Sequence, residues 1–386
     1  MDVQPQSCRD GYVCSGSSCK TSCTGDADCL ESYFCSGNRC RLDAIAIDGA
    51  AYHTCALLAD GTVRCWGRND DGELGNSLNA NSSMPVPVSN LANVTAISAG
   101  GLHTCAISGG IAYCWGSNVS GEVGTGTTTP SLTPQIVSGL GPVKAITAGG
   151  GHTCALMMDG TVRCWGRGLE GQLGNGSRTN SLVPADPVSG LAEAVAVSAG
   201  LVYTCARLAD GTVRCWGNGT FDELGNNSEV SSPTPVTVAG AAGTGALGGV
   251  YFLATGGQVA CALTTANNFC WGRLVSPIPL AIRGGFLGAA AIAPGIGHVC
   301  VLSGGLVSCW GDDTHGELGT GSPIMNSSNP TAADLPSGIL DLTSGDYFSC
   351  VIEANGSAAC WGMNDFGQLG VGNATDQSTP TAVIGW

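Results

Sequence analysis

A seven-bladed β-propeller, preceded by a small disulfide-rich module, is the all-β fold this sequence predicts. Fourteen of the 21 cysteines fall into seven pairs, nine or ten residues apart. Each second cysteine is followed by Trp-Gly, and these Trp-Gly steps return after 49, 50, 51, 55, 39 and 51 residues. A period near 50 with several short strands per unit is the signature of a propeller.

Composition agrees with short strands and many turns. The 386 residues include 61 glycines and 17 prolines, yet mean hydropathy is positive at +0.20, which excludes a disordered chain. The formal charge is −15 with only 14 Lys and Arg. That balance leaves no basic face for nucleic acid or for anionic lipid. No apolar run of membrane-spanning length exists, and the opening "MDVQPQSCRD" lacks the basic and apolar regions of a secretory leader. No C-x-x-C pair offers a zinc site. Disulfides in an oxidising compartment are therefore expected, in a secreted or cell-surface protein.

The first domain, residues 1–41, holds Cys8, Cys14, Cys19, Cys23, Cys29, Cys35 and Cys40. The last four are spaced C-x5-C-x5-C-x4-C, and the first three repeat the end of that pattern. Two copies of one module are expected, the first truncated, leaving one cysteine over. So few apolar residues need bridges to fold.

Residues 42–386 form the repeat domain. In the third unit "VKAITAG" reads as an inner strand, "HTCALMM" as a second, "DG" as a turn and "TVRCWG" as a third. A polar loop follows, "RGLEGQLGNGSRTNS", and then "PADPVSGL", which suits an edge strand. After Trp271 the loop with the Glu/Gln-Leu-Gly core is missing, and "AGAAGTGALGG" is inserted before Cys261. Blade five is expected to differ on its loop face. The strand ending in "PTAVIGW" could complete blade seven or cross to blade one.

Register explains the cysteines. In "CALLADGTVRC" a three-residue loop, Ala59-Asp60-Gly61, sets Leu58 opposite Thr62 and Cys55 opposite Cys65. In "CAISGGIAYC" the loop shortens to Gly109-Gly110, and Cys105 still faces Cys114; "CVLSGGLVSC" and "CVIEANGSAAC", with Asn355-Gly356, keep the same count. When the turn loses a residue, so does the cysteine spacing. The expected bridges are Cys55–Cys65, Cys105–Cys114, Cys154–Cys164, Cys205–Cys215, Cys261–Cys270, Cys300–Cys309 and Cys350–Cys360, and their role is structural.

The consensus "AGG-x-HTCAL-xx-DGTVRCWG-x-N-xx-GELG" resembles the repeat of the regulator of chromosome condensation family over all seven units. The resemblance implies a seven-bladed propeller of about 50 residues per blade. Nuclear members of that family promote nucleotide exchange on a small GTPase and dock on chromatin; other members are secreted propellers that bind proteins, among them an inhibitor of β-lactamases. The cysteine pairs depart from the family pattern and mark an exported branch similar to repeat proteins of bacterial surfaces.

Candidate sites divide into columns. His53, His103, His152 and His298 precede the first cysteine by two residues, a place taken elsewhere by Tyr203, Val259 and Phe348. Such a ring is too wide for one metal ion, so a structural role is expected. Trp66, Trp115, Trp165, Trp216, Trp271, Trp310 and Trp361 are expected between blades. The acidic loops "NDDGELG", "DDTHGELG" and "FDELG" read as structural turns rather than calcium sites. Sequons at Asn81, Asn93, Asn118, Asn175, Asn218, Asn226, Asn326, Asn355 and Asn373 permit glycosylation. No nucleophile elbow or phosphate loop is present, so neither catalysis nor a cofactor is expected.

The residues before the histidine column vary from blade to blade. A constant frame with varied tips is how repeat proteins build binding surfaces. The expected face comprises Tyr52, Leu102, Val202, Tyr203, Tyr347 and Phe348, with a protein or glycan as extracellular partner. The alternative expectations are a structural subunit of an extracellular assembly, self-associating through the N-terminal module, and, more distantly, an extracellular lyase or hydrolase.

Overall fold

The computed structural model describes residues 14–15, 18–19, 24, 33–36, 39–273, 275–321 and 326–385. Seven sheets are arranged around an axis, each built from one contiguous stretch of chain. Blade one is typical: an inner strand Ala44–Gly49, then His53–Leu58, Val63–Gly67 and an outer strand Ser82–Pro87. Six blades have four strands. Blade three has three, because one extra residue breaks the ladder: its anchors Ser181 and Val188 are seven residues apart, where Ser82 and Val88 of blade one are six. An isolated bridge, Gly166–Ser181, and Ala185 N–H to Cys164 O at 2.9 Å replace it.

The hairpin register is as the turn chemistry dictates. Leu58 N–H donates to Thr62 O at 2.9 Å, and Gly61 has a φ of 77°. Asp60 Oδ1 closes the turn by accepting from Thr62 N (2.9 Å) and Thr62 Oγ1 (2.6 Å). At Asn355-Gly356 the loop also includes Ala354, since Glu353 N–H donates to Ser357 O. In all seven hairpins the two cysteines are direct partners, disulfide-bonded with Cα atoms 4.1 Å apart. Each such bridge closes a short loop, worth ~2–3 kcal/mol in chain-entropy terms.

Residue pairs across blade joints hold the inner ring together. In five blades the residue opposite the first cysteine points a polar side chain at the next blade; in blades five and six it is Ala254 and Ala293. Asp48 Oδ2 accepts from Ala99 N (2.9 Å), Ser98 from Ala148 N (3.0 Å), Thr147 from Ala199 N (3.0 Å), Ser198 from Thr255 N (3.1 Å) and Thr343 from Gly49 N (3.1 Å). Between blades five and six the two residues are Ala254 and Pro294, so acceptor and donor are lost together. A buried N–H without an acceptor is costly, and proline removes the need for one.

The outer strand of blade seven, Gln377–Ala382, pairs with Ala358–Gly362 of its own sheet. Among the described residues no strand is exchanged with blade one, and closure is by packing and hydrogen bonds across the joint. Gly49 to Thr343, Thr54 Oγ1 to Gln368 O (2.8 Å), and a cluster of Ala44, Ile47, Leu58 and Trp66 against Phe348 and Ile352 reproduce the contacts of the other joints. Trp386 and most of residues 1–41 lie outside the described residues. Within that module Cys14 is in register with Cys19, and Cys35 with Cys40.

Candidate binding face

Two loops per blade share one face: the turn from inner to second strand, and the loop after Trp-Gly. The histidine column fastens them. His53, His103 and His152 present Nε2 to Thr104, Thr153 and Thr204 of the next blade at 2.8, 2.9 and 2.8 Å. Each threonine hydroxyl donates its own proton to a loop carbonyl, of Glu73, Glu122 or Gln172. The imidazole must therefore donate, which fixes the neutral Nε2–H tautomer. His298 reaches Ser349 at 2.9 Å. Burial pulls these imidazoles down to about 3 for His53 and His152 and about 4 for His103 and His298.

The same carbonyls anchor the tryptophans. Trp115, Trp165, Trp216, Trp271 and Trp361 donate Nε1–H to the carbonyls of Glu73, Glu122, Gln172, Glu223 and Glu317, at 2.7–3.0 Å. Gly75 must be glycine: its φ is +63° and a Cβ would lie 2.7 Å from Trp115 Nε1. The Glu or Gln side chain folds back on its own loop; Glu73 accepts from Asp71 N and Gln172 from Glu170 N, each at 2.9 Å. Glutamine serves as well as glutamate, so the position needs an acceptor and not a charge.

Three expectations require correction. Trp310 is only partly buried, because blade five lacks the loop that covers every other tryptophan; Phe286 stacks on it instead, centroids 6.5 Å apart. Asn118 is no glycan acceptor in the folded chain, being fully buried with Nδ2 bound to Thr127 O and Thr129 O and Oδ1 to Val123 N. Tyr203 and Phe348 do not belong to the exposed face. Both are fully buried, Tyr203 Oη bonding Val259 O at 2.8 Å and Phe348 packing into the joint of blades seven and one. They fill the histidine column, and that alignment is the signal that places them inside.

The structure does put Tyr52, Leu102, Val202 and Tyr347 at the loop face, each half-buried. Tyr52 and Tyr347 gain neighbours that spacing along the chain does not reveal. Each packs on the loop of the preceding blade: Tyr52 edge-on to Phe366 (5.3 Å) and Tyr347 to His315 (5.9 Å). The Arg68 guanidinium lies 5.8 Å from the Tyr52 ring and 5.9 Å from Phe366, tethered to Asp70 at 2.9 Å. His315 Nδ1 pairs with Asp376 at 2.8 Å, and that partner together with Glu317 and Asp365 raises its pKa against the opposing effect of burial. Burial, then the nearby Asp346, Tyr52 and Asp312, hold the Tyr347 phenol above its ordinary value. Blades six, seven and one thus share one aromatic and charged patch.

Repeats described as "Regulator of chromosome condensation (RCC1) repeat" match residues 60–107, 109–156, 159–207 and 355–385, and a second description of the same repeat matches 45–73, 143–172, 194–223 and 339–368. Together they cover more than half of the chain. It belongs to the regulator of chromosome condensation repeat family. The chain is 31% identical over 182 residues to the serine/threonine-protein kinase-like protein CCR2 of Arabidopsis thaliana, covering 42% of this chain and 21% of that one. It spans about a fifth or less of the length of the curated relatives it matches first. Among solved structures, human WBSCR16 superposes with a TM-score of 0.75 at 21% identity, over 84% of this chain and 94% of that one. Prp20p of Saccharomyces cerevisiae gives 0.73 at 19%, over 87% and 86%, in a structure titled with its binding properties to Gsp1p and histones. These likenesses establish the propeller. No helix among the described residues is long and apolar enough to cross a membrane, and seven buried disulfides suit an oxidising compartment.

Proposed function

We propose that this protein is a non-catalytic, extracellular binding protein that engages another protein through its loop face. The observation that carries the reading is the patch of Tyr52, Phe366, Arg68, Tyr347 and His315, assembled from three blades on a frame with no freedom to collapse. Aromatic rings and arginine dominate binding energy at protein interfaces, and rigid placement lowers the entropic cost of association. Prp20p, a propeller of the same fold, is described as binding Gsp1p and histones, which supports protein recognition by such a frame. The net charge of −15 favours a basic partner over nucleic acid. Capture from native extracellular material tests the reading. The folded Tyr52→Ala, Tyr347→Ala variant should lose the partner; retention by that variant removes the face.

A further inference from the structure

The seven turns that end the inner strands converge on the axis and line a half-open hollow of about 290 Å³. A ring of backbone bonds links them. Gly150 N–H donates to Gly200 O (3.2 Å), Gly257 to Gly295 O (3.3 Å), Ile296 to Asp346 O (3.0 Å) and Asp346 to Ala50 O (3.2 Å). At this ring position six blades carry Ala51, Gly101, Gly150, Leu201, Gly257 and Ile296; only blade seven carries a charge, Asp346.

One layer deeper the wall presents hydroxyls, with Asp48 as its carboxylate. No lysine, arginine or histidine lines the hollow among the described residues. The Asp48 carboxylate is engaged, accepting from Ala99 N (2.9 Å) and Thr343 Oγ1 (3.2 Å). The Asp346 carboxylate has no hydrogen-bond or ion-pair partner among the described residues, and burial pushes its pKa up to about 6. Asp346 is half-buried, and a carboxylate partly withdrawn from water with no donor is stabilised when a cation meets it. The size lies near the lower end of the ~300–1,000 Å³ typical of ligand clefts, enough for one extended side chain.

We propose that the axial hollow binds an ammonium or guanidinium group with Asp346 as its counter-charge, and that the protein docked on the Tyr52–Tyr347 patch delivers it as a lysine or arginine side chain. Only the delivery rests on the function proposed above; the hollow stands without it. The ring carbonyls add acceptors, and Asp48 beneath adds a second negative charge. No other ring position offers either sign, so the charge at the ring itself comes from blade seven.

The test is calorimetric titration of acetyl-arginine-amide, and of the peptides Gly-Gly-Arg-Gly-Gly and Gly-Gly-Gln-Gly-Gly, into the full chain and its Asp346→Asn and Asp346→Gly variants. Asp346→Gly restores the residue of Gly101 and Gly150 and keeps the ring N–H, so thermal unfolding should match the parent. The arginine probes should bind the parent, the glutamine peptide should not, and both variants should weaken binding about tenfold or more. No binding of either arginine probe to the folded parent, or equal binding to the variants, overturns the proposal. Partner capture that survives Asp346→Gly but fails with Tyr52→Ala, Tyr347→Ala refutes delivery and leaves the face intact. Probe binding lost together with capture in Asp346→Gly supports both.

Discussion

Acid should unfold this protein through its buried histidines, and the size of the effect follows from the structure. His53, His103, His152 and His298 are held neutral, with folded pKa values of about 3 to 4 against 6.5 in an exposed imidazole. The unfolded chain therefore binds more protons below 6.5, and stability falls as pH drops from there towards 4. At about pH 5 each histidine costs ~2 kcal/mol relative to neutral pH, and the four cost ~8 kcal/mol. Asp48 and Asp346 act in the opposite direction. Burial raises both from 3.8 to about 6, so the folded state gains protons between those values and recovers ~3 kcal/mol by pH 5. Burial also raises Glu73, Glu122, Glu223, Glu317 and Asp341, which act in the same direction as Asp48, so ~5 kcal/mol is the upper bound of the net loss. The assay is the guanidinium unfolding midpoint, disulfides intact, followed by tryptophan fluorescence at about pH 7.5 and about pH 5. His152→Gln keeps an N–H for Thr204 but cannot titrate, so its loss across that range should shrink by ~2 kcal/mol. If His152→Gln loses as much stability on acidification as the parent, the neutral-donor assignment is wrong.

Further perturbations read the joints and staples separately. Thr153→Val leaves the His103 Nε2–H without an acceptor in a dry joint, while the Glu122 carbonyl keeps Trp165 Nε1–H, and should cost ~1–3 kcal/mol in denaturant unfolding. Trp115→Phe loses an indole bond to Glu73 and should destabilise by more than Trp310→Phe, whose ring is already partly exposed; equal losses contradict the loop-cover argument. Replacing Cys154 and Cys164 by serine should lower stability by ~2–3 kcal/mol without altering the fold. Mild thiol reductant should leave all seven propeller bridges intact in the native state, since both sulfurs of each are buried; thiol-reactive labelling mapped to a propeller cysteine before unfolding would speak against that burial.

Most of the architecture is legible in the sequence because it is local. Turn length and cysteine spacing change together, as in Gly109-Gly110 with Cys105 and Cys114, and that coupling fixes the hairpin register without any tertiary information. Relations between blades are less visible. The Ala254 and Pro294 match has meaning only once the two are known to face each other across a joint. Phe366 lies 314 residues from Tyr52, and nothing in either segment announces the contact. Blade three lost its outer strand to one extra residue between Ser181 and Val188, in a segment that had read as compatible with an edge. Tyr203 and Phe348 were legible in principle: their column demands burial, and only their aromatic character argued for the surface.

Site-specific photo-crosslinking tests the central claim most directly. A photo-reactive residue replacing Tyr52 on the loop face, and another replacing the exposed Leu306, which follows the Gly304-Gly305 turn of the opposite face, are irradiated in the native extracellular environment. The account predicts one discrete adduct from position 52 and none from 306. Adducts from 306 alone, or equally from both, would contradict it.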